Sequence, residues 1–159
     1  MKFLLRLAFA CLLSHGLAAL AAQPLQPWLD TALAGASIRL PPGIYQGPAV
    51  ITKPLTLEGD GKVIIDAGGK GTVLTVKADR VTLRGLTLRG SGDSHDALDG
   101  GVMAEGTKLL IEHNVIEDVL FGISLHKVTD SIIRANRIRS RAVDSADRGD
   151  GLRFWYSTG

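Results

Sequence analysis

The densest group of side chains able to hold a hard cation is Ser91-Gly92-Asp93-Ser94-His95-Asp96-Ala97-Leu98-Asp99, in which Asp93, Asp96 and Asp99 offer carboxylates and His95 an imidazole. Their spacing matches no defined metal motif, and the plainer reading of so polar a stretch is a solvated excursion between structural elements. His113 and His126 stand apart from it and read as surface or turn residues. Met103 carries a soft thioether of the kind copper(I) takes, although its place in an alternating strand reads as core. Among the carboxylates, Glu105, Glu112, Glu117 and Asp118 are the candidates for acid/base work or calcium binding. Glu117 and Asp118 are adjacent and so point to opposite faces of a strand, while Glu112 falls in register with Arg84 and Arg134, which reads as a structural ion pair. No catalytic constellation emerges from these positions. Near the end, Phe154, Trp155 and Tyr156 follow Arg153 beside an acidic loop. Exposed, these rings would make a contact surface for a protein or a sugar; buried, they would be a thick core layer.

What must position these groups is a repeat. Val81-Thr82-Leu83-Arg84-Gly85-Leu86-Thr87-Leu88, Leu109-Leu110-Ile111-Glu112-His113-Asn114-Val115-Ile116 and Ser131-Ile132-Ile133-Arg134-Ala135-Asn136-Arg137-Ile138 superpose, aligning Leu83 with Ile111 and Ile133, and Leu88 with Ile116 and Ile138. The first step is 28 residues and the second 22, the excess falling in the Gly-rich stretch 90–101. Asn114 and Asn136 share the position of Leu86, which predicts a short ladder of stacked amides at a turn. Gly101-Val102-Met103, Gly122-Ile123-Ser124 and Gly151-Leu152-Arg153 form a further, less even set, with a second loop over 141–150. Each segment alternates apolar and polar residues, the period of a strand. No such strand stands alone, but stacked coils of about 22 residues pair every backbone group and bury a continuous aliphatic interior. The fold class is therefore all-β, a right-handed single-stranded parallel β-helix.

Residues 23–36 read as an N-terminal cap, with a short amphipathic helix over 28–35 in which Trp28, Leu29, Ala32 and Leu33 keep helical spacing and Gly35 stops it. A cover is needed because the open end of a stack exposes unpaired strand edges. Residues 1–22 read as a signal peptide: basic Met1-Lys2-Phe3-Leu4-Leu5-Arg6, an apolar run, and small residues at Ala19-Leu20-Ala21. The run is too short for a transmembrane span. Phe9, just before Ala10, argues against a lipid anchor on Cys11. The β-helix occupies 37–159, and because Gly159 falls partway into a coil it reads as the N-terminal part of a longer chain.

Without Lys2 and Arg6 the exported chain has 16 basic and 16 acidic residues, no excess to attract nucleic acid, and no cysteine for a disulfide, a thiolate metal site or a nucleophile. The leader, Leu40-Pro41-Pro42-Gly43-Ile44-Tyr45, Leu57-Glu58-Gly59-Asp60-Gly61, Ile65-Asp66, the run from Val81 and Gly149-Asp150-Gly151-Leu152-Arg153-Phe154-Trp155-Tyr156-Ser157 together resemble the NosD family. The likeness spans nearly the whole chain and the N-terminal part of that family. It implies a non-enzymatic periplasmic accessory protein of nitrous oxide reductase maturation, supporting assembly of the copper-sulfur centre. The partners it implies are ABC transporter subunits, the apo-reductase and a copper chaperone, with copper as the metal of the pathway. It supplies no ligand set to place on these residues. The alternative is a polysaccharide lyase, a hydrolase or a carbohydrate-binding β-helix, which the lack of a carboxylate pair disfavours.

Overall fold

A strand of three to eight residues with one apolar face gains stability only when another strand lies against each edge, so the chain winds round and supplies its own neighbours. The computed structural model describes residues 22–142, 144 and 147–158, so the signal-peptide reading and Cys11 lie outside the described residues. In chain order the elements are β1 (Gln23–Pro24), α1 (Gln26–Thr31), β2 (Ala36–Arg39), β3 (Gly43–Gln46), β4 (Ala49–Ile51), β5 (Leu55–Asp66), β6 (Leu74–Lys77), β7 (Thr82–Arg89), β8 (Gly100–Thr107), β9 (Leu110–Glu112), β10 (Val115–Val119), β11 (Phe121–Thr129), β12 (Ile132–Arg134), β13 (Arg137–Ser140) and β14 (Leu152–Trp155). Every pairing among them is parallel. They make a β-solenoid of about five turns.

Each coil has three faces. The first carries β2, the front of β5 and of β7, β9 and β12. The second carries β1, β3, the back of β5 and of β7, β10 and β13. β4, β6, β8, β11 and β14 form the third as a separate five-stranded sheet. Ile38, Leu57, Leu83, Ile111 and Ile133 stack on the first face and Tyr45, Ile65, Leu88, Ile116 and Ile138 on the second. Leu57, Leu83, Ile111, Ile65, Leu88 and Ile116 are fully buried, and Ile133 and Ile138 pack against them partly covered. Burial also pushes the Tyr45 phenol up, and its hydroxyl donates to the Pro41 carbonyl at 3.0 Å.

The steps along the first face are 19, 26, 28 and 22 residues, so the 22-residue spacing describes only the last of them. The register of strand residues holds regardless, because the surplus is confined to corners such as the bulge between Glu58 and Val63 and the loop over 91–99. In the last three coils one residue at each of two corners takes the left-handed conformation: Arg80, Lys108 and Asp130 before the first face, and Gly85, His113 and Ala135 between the first and second. A single left-handed residue reverses the pleat and turns the chain without a long loop.

The corner after the first face breaks the backbone ladder, and asparagine repairs it. Asn114 Oδ1 accepts from the Leu86 amide at 3.0 Å while its Nδ2 donates to the Leu83 carbonyl at 3.0 Å and to Asn136 Oδ1 at 3.0 Å. Asn136 repeats the arrangement one coil on, accepting from the Asn114 amide at 3.0 Å and donating to the Ile111 carbonyl at 2.7 Å.

The helix differs from its sequence reading. α1 starts at Gln26, helped by a proline in its first turn, and ends at Thr31, with Ala32 already extended. Lys53 Nζ takes the Asp30 and Ala32 carbonyls at 2.9 and 2.7 Å, which ends the helix before Leu33, and Leu33 is left exposed. Leu25 and Leu29 are the residues that enter the core. The Gln26 amide imitates a strand, accepting from the Val50 amide at 2.8 Å and donating to its carbonyl at 3.1 Å, so the free edge of β4 is satisfied by a side chain. Gln23 and Pro24 pair with Tyr45 and Gln46 as a short strand.

Gly101, Gly122 and Gly151 stack at the start of the third face, where a Cβ on Gly122 would run into the Gly151 carbonyl oxygen and lie 2.7 Å from Ile138 Cγ2. Gly122→Ala should therefore lower stability by about 1–3 kcal/mol, read from urea unfolding. Asn114→Ala strands two buried backbone groups and should cost about 2–4 kcal/mol by the same measurement.

Candidate functional site

Alternation along each strand puts every second side chain on the outside, and parallel register stacks these into columns. On the first face the column reads Arg39, Glu58, Arg84, Glu112, Arg134. It is linked throughout: Arg39 to Glu58 at 3.1 Å, Glu58 to Arg84 at 3.3 Å, Arg84 to Glu112 at 2.7 Å and Glu112 to Arg134 at 2.7 Å. The second face repeats the pattern with Asp66, Arg89, Glu117 and Arg139, in which Arg89 Nε meets Asp66 Oδ2 at 2.8 Å. Lys77 lies beside Glu105 on the third face. Glu112 is the most enclosed of these acids, and the Arg134 guanidinium, then that of Arg84, hold its carboxyl below the usual range against the opposing pull of burial. A carboxylate clamped between two guanidiniums is committed to structure and is no general acid. Glu117 is half-buried, and Asp118 sits exposed at a left-handed corner, so the two do not form a pair.

The loop over 91–99 does not gather its ligands. Ser91 is fully buried and its Oγ accepts from the Leu120 amide at 3.0 Å; Asp99 is buried, its backbone carbonyl accepts from the Phe121 amide at 3.1 Å and its Oδ2 from the Ser94 amide at 3.1 Å. Both ends of the excursion are thus pinned, while Asp93 and Asp96 are exposed and the His95 ring lies edge-on to Phe121 at 5.6 Å. Among the described residues no three His, Cys, Asp or Glu side chains come together as a ligand group. His113 is an exposed corner residue.

The aromatic run is divided by strand alternation. Phe154 lies over Leu125 in an inner column, Trp155 over His126 on the outside, and Tyr156 leaves the strand at a left-handed residue. All three are exposed, but they do not share one face.

The third face holds a groove of about 410 Å³ lined by Met103, Glu105, Ser124, His126, Arg153 and Trp155 together with Leu98 and Leu125. Met103 is half-buried in it, facing outward, which corrects the reading of Met103 as core. The signal was present in the sequence: Val102, Ile123 and Leu152 occupy one register and Met103, Ser124 and Arg153 the next, so if the first set points in, the second points out. His126 Nδ1 lies 3.2 Å from Glu105 Oε1, and its ring stands edge-on to Tyr156 at 5.9 Å. The Arg153 guanidinium stacks over Trp155 at 4.8 Å and Phe121 at 5.5 Å.

Two curated proteins are similar to this chain. Both are named "Probable ABC transporter binding protein NosD". The one from Pseudomonas aeruginosa is 30% identical over 147 residues, covering 91% of this chain and 34% of that protein. The one from Stutzerimonas stutzeri is 31% identical over 124 residues, covering 76% of this chain and 28% of that protein. The chain thus spans about a third of the length of the relatives it matches. No family model and no solved structure matches it.

The Glu112 clamp sets a pH dependence. Its folded carboxyl lies below its unfolded value, so the stability it contributes is complete above the unfolded pKa of about 4.3 and is lost as pH falls through the lower folded value. Glu112→Gln should unfold at a lower temperature than the parent at pH 7, and the gap should narrow between about pH 5 and pH 3, as followed by circular dichroism.

Proposed function

Because the chain belongs to the NosD family, we propose that it is part of a non-enzymatic accessory protein that works beside an ABC transporter, with its stacked outer faces as the contact surfaces. The single observation that carries this reading is the likeness over 91% of the chain to a protein named for transporter binding. The outer chemistry agrees with it. The carboxylates Glu58, Asp66 and Glu112 are each engaged by arginine, which suits a rigid surface and withdraws these three acids from glycoside cleavage.

The finer proposal places the protein in the periplasm, exported by residues 1–22. There it supports assembly of the copper-sulfur centre of nitrous oxide reductase, with the apo-reductase and a copper chaperone as partners. The solenoid serves this role by being stiff: five coils locked by backbone pairing hold the three faces in fixed relation, so partners that dock on different faces are kept at a set distance.

Deleting the gene in a denitrifying host tests it. The reductase purified from the deletion strain should carry markedly less copper and lower activity than the parental enzyme, and the full-length gene should restore both. A fully metallated, fully active reductase from the deletion strain overturns the maturation role, and cleavage of a uronic-acid polymer by the purified full-length protein would replace it with an enzymatic one.

A further inference from the structure

We propose that the capped N-terminal end of the solenoid docks on a lipid bilayer, seating its cap and first coil in the interfacial zone without crossing the membrane. Composition sets this end apart. Residues 22–54, which make the cap and the first coil, hold only three charged side chains, whereas residues 55–87, an equal length, hold nine. All three are engaged: Arg39 meets Glu58 at 3.1 Å, Lys53 donates to the Asp30 and Ala32 carbonyls, and Asp30 Oδ1 accepts from Gln26 Nε2 at 2.8 Å. All six prolines of the chain, Pro24, Pro27, Pro41, Pro42, Pro48 and Pro54, also fall here.

Exposure picks out the same end. Among the described residues the exposed large apolar side chains form two groups, Trp28, Leu33, Ile44 and Val50 here and five between Ile132 and Tyr156 at the other end. In the second group Leu152 and Phe154 stand in inner columns over Ile123 and Leu125, whereas Ile44 and Val50 stand in outer ones. Ile44 faces out from the second face and Val50 from the third, while Trp28 and the 80% exposed Leu33 belong to the cap. They point in different directions, so a flat partner would leave some uncovered and a fluid that closes round the end covers them all. Trp28, edge-on to Tyr45 at 6.3 Å and part exposed, is the residue type that collects at membrane interfaces. Down the outer columns the apolar residues give way to threonine, Val50 to Thr75 and Ile44 and Ile64 to Thr87, one to two coils from the end. Coils lie about 4.8 Å apart, so this depth matches the roughly 5–10 Å to which interfacial elements enter a bilayer. The backbone is prepared for the loss of water: β1 meets the edge of β3, the Gln26 amide meets that of β4, and prolines bring no amide to strand. Among the described residues no helix is long and apolar enough to cross a membrane, so the end lies on the bilayer. Residues 1–22 join the solenoid at this end, which on the export reading therefore meets the bilayer first.

The docking does not depend on the maturation reading. The experiment mixes the purified full-length protein, its leader removed, with phosphatidylcholine vesicles and floats them on a density gradient. The parent should rise with the vesicles, and its partition should not fall when salt is raised, because the cations at this end are already paired or bonded. The combined variant Leu33→Ser, Ile44→Thr and Val50→Thr should lower the partition by about tenfold or more. Tyr156→Ser, at the other end, should leave it unchanged. Unfolding midpoints equal to the parent's show that these outward-facing variants remain folded. Brominated lipid should quench tryptophan emission, and that quenching should be lost in Trp28→Phe and kept in Trp155→Phe. Failure of the parent to float, equal flotation of the parent and the combined variant, or quenching that survives Trp28→Phe overturns the docking. A chain that ignores vesicles yet sediments as a dimer, with the combined variant a monomer, also overturns it and assigns the end to a second copy. None of these results touches the accessory role, which is judged on the copper content of the reductase.

Discussion

Parallel pairing from coil to coil is the constraint on which everything else depends. A strand bonded to equivalent residues above and below must present the same side of its pleat at each level, so the choice of what lies inside is made once and inherited by every coil. Leu57, Leu83 and Ile111 are the result on one face, and Ala49, Leu74, Val102 and Ile123 on another. The outside is inherited in the same way. Met103 and His126 share a groove for the reason that Leu83 and Ile111 share a core.

Inheritance has to survive three bends per coil. Where the chain turns, backbone groups lose their partners in the ladder, and the solutions recur in register: a left-handed residue at Gly85, His113 and Ala135, then an asparagine at 114 and 136 that reaches to the preceding coil. The glycines at 101, 122 and 151 do related work, since the approach of one coil to the next leaves no room there for a side chain. Loops of unequal length are tolerated because they leave from corners and are tied down at their bases, as Ser91 and Asp99 tie the one over 91–99 to the next coil.

The parts of this plan that rest on aliphatic spacing were legible in the sequence. Leu83, Ile111 and Ile133 declare their equivalence through offsets that need only one loop removed, and the stacked asparagines follow from the same alignment. The corners were less legible, because Arg80, Lys108, Asp130 and Ala135 take a conformation that ordinarily announces itself through glycine or asparagine. Tertiary stacking imposes that conformation, and no local signal records it. The end of the helix is hidden for a similar reason: it is set by Lys53, a residue outside the helix that takes its carbonyls. At Met103 a single strand shows alternation without showing which phase faces in; the neighbouring coils decide that.

The alternation of charge from coil to coil has a consequence for how such a protein can change in length. Arg39, Glu58, Arg84, Glu112 and Arg134 give neighbouring turns opposite sign and next-nearest turns the same sign, and Asp66, Arg89, Glu117 and Arg139 keep step with them. Loss or duplication of a single turn would bring like charges face to face on two sides at once, whereas loss or duplication of two turns together would restore the sequence of signs. The unit by which this architecture can grow or shrink without an electrostatic penalty is thus a pair of turns, although the unit of its geometry is one.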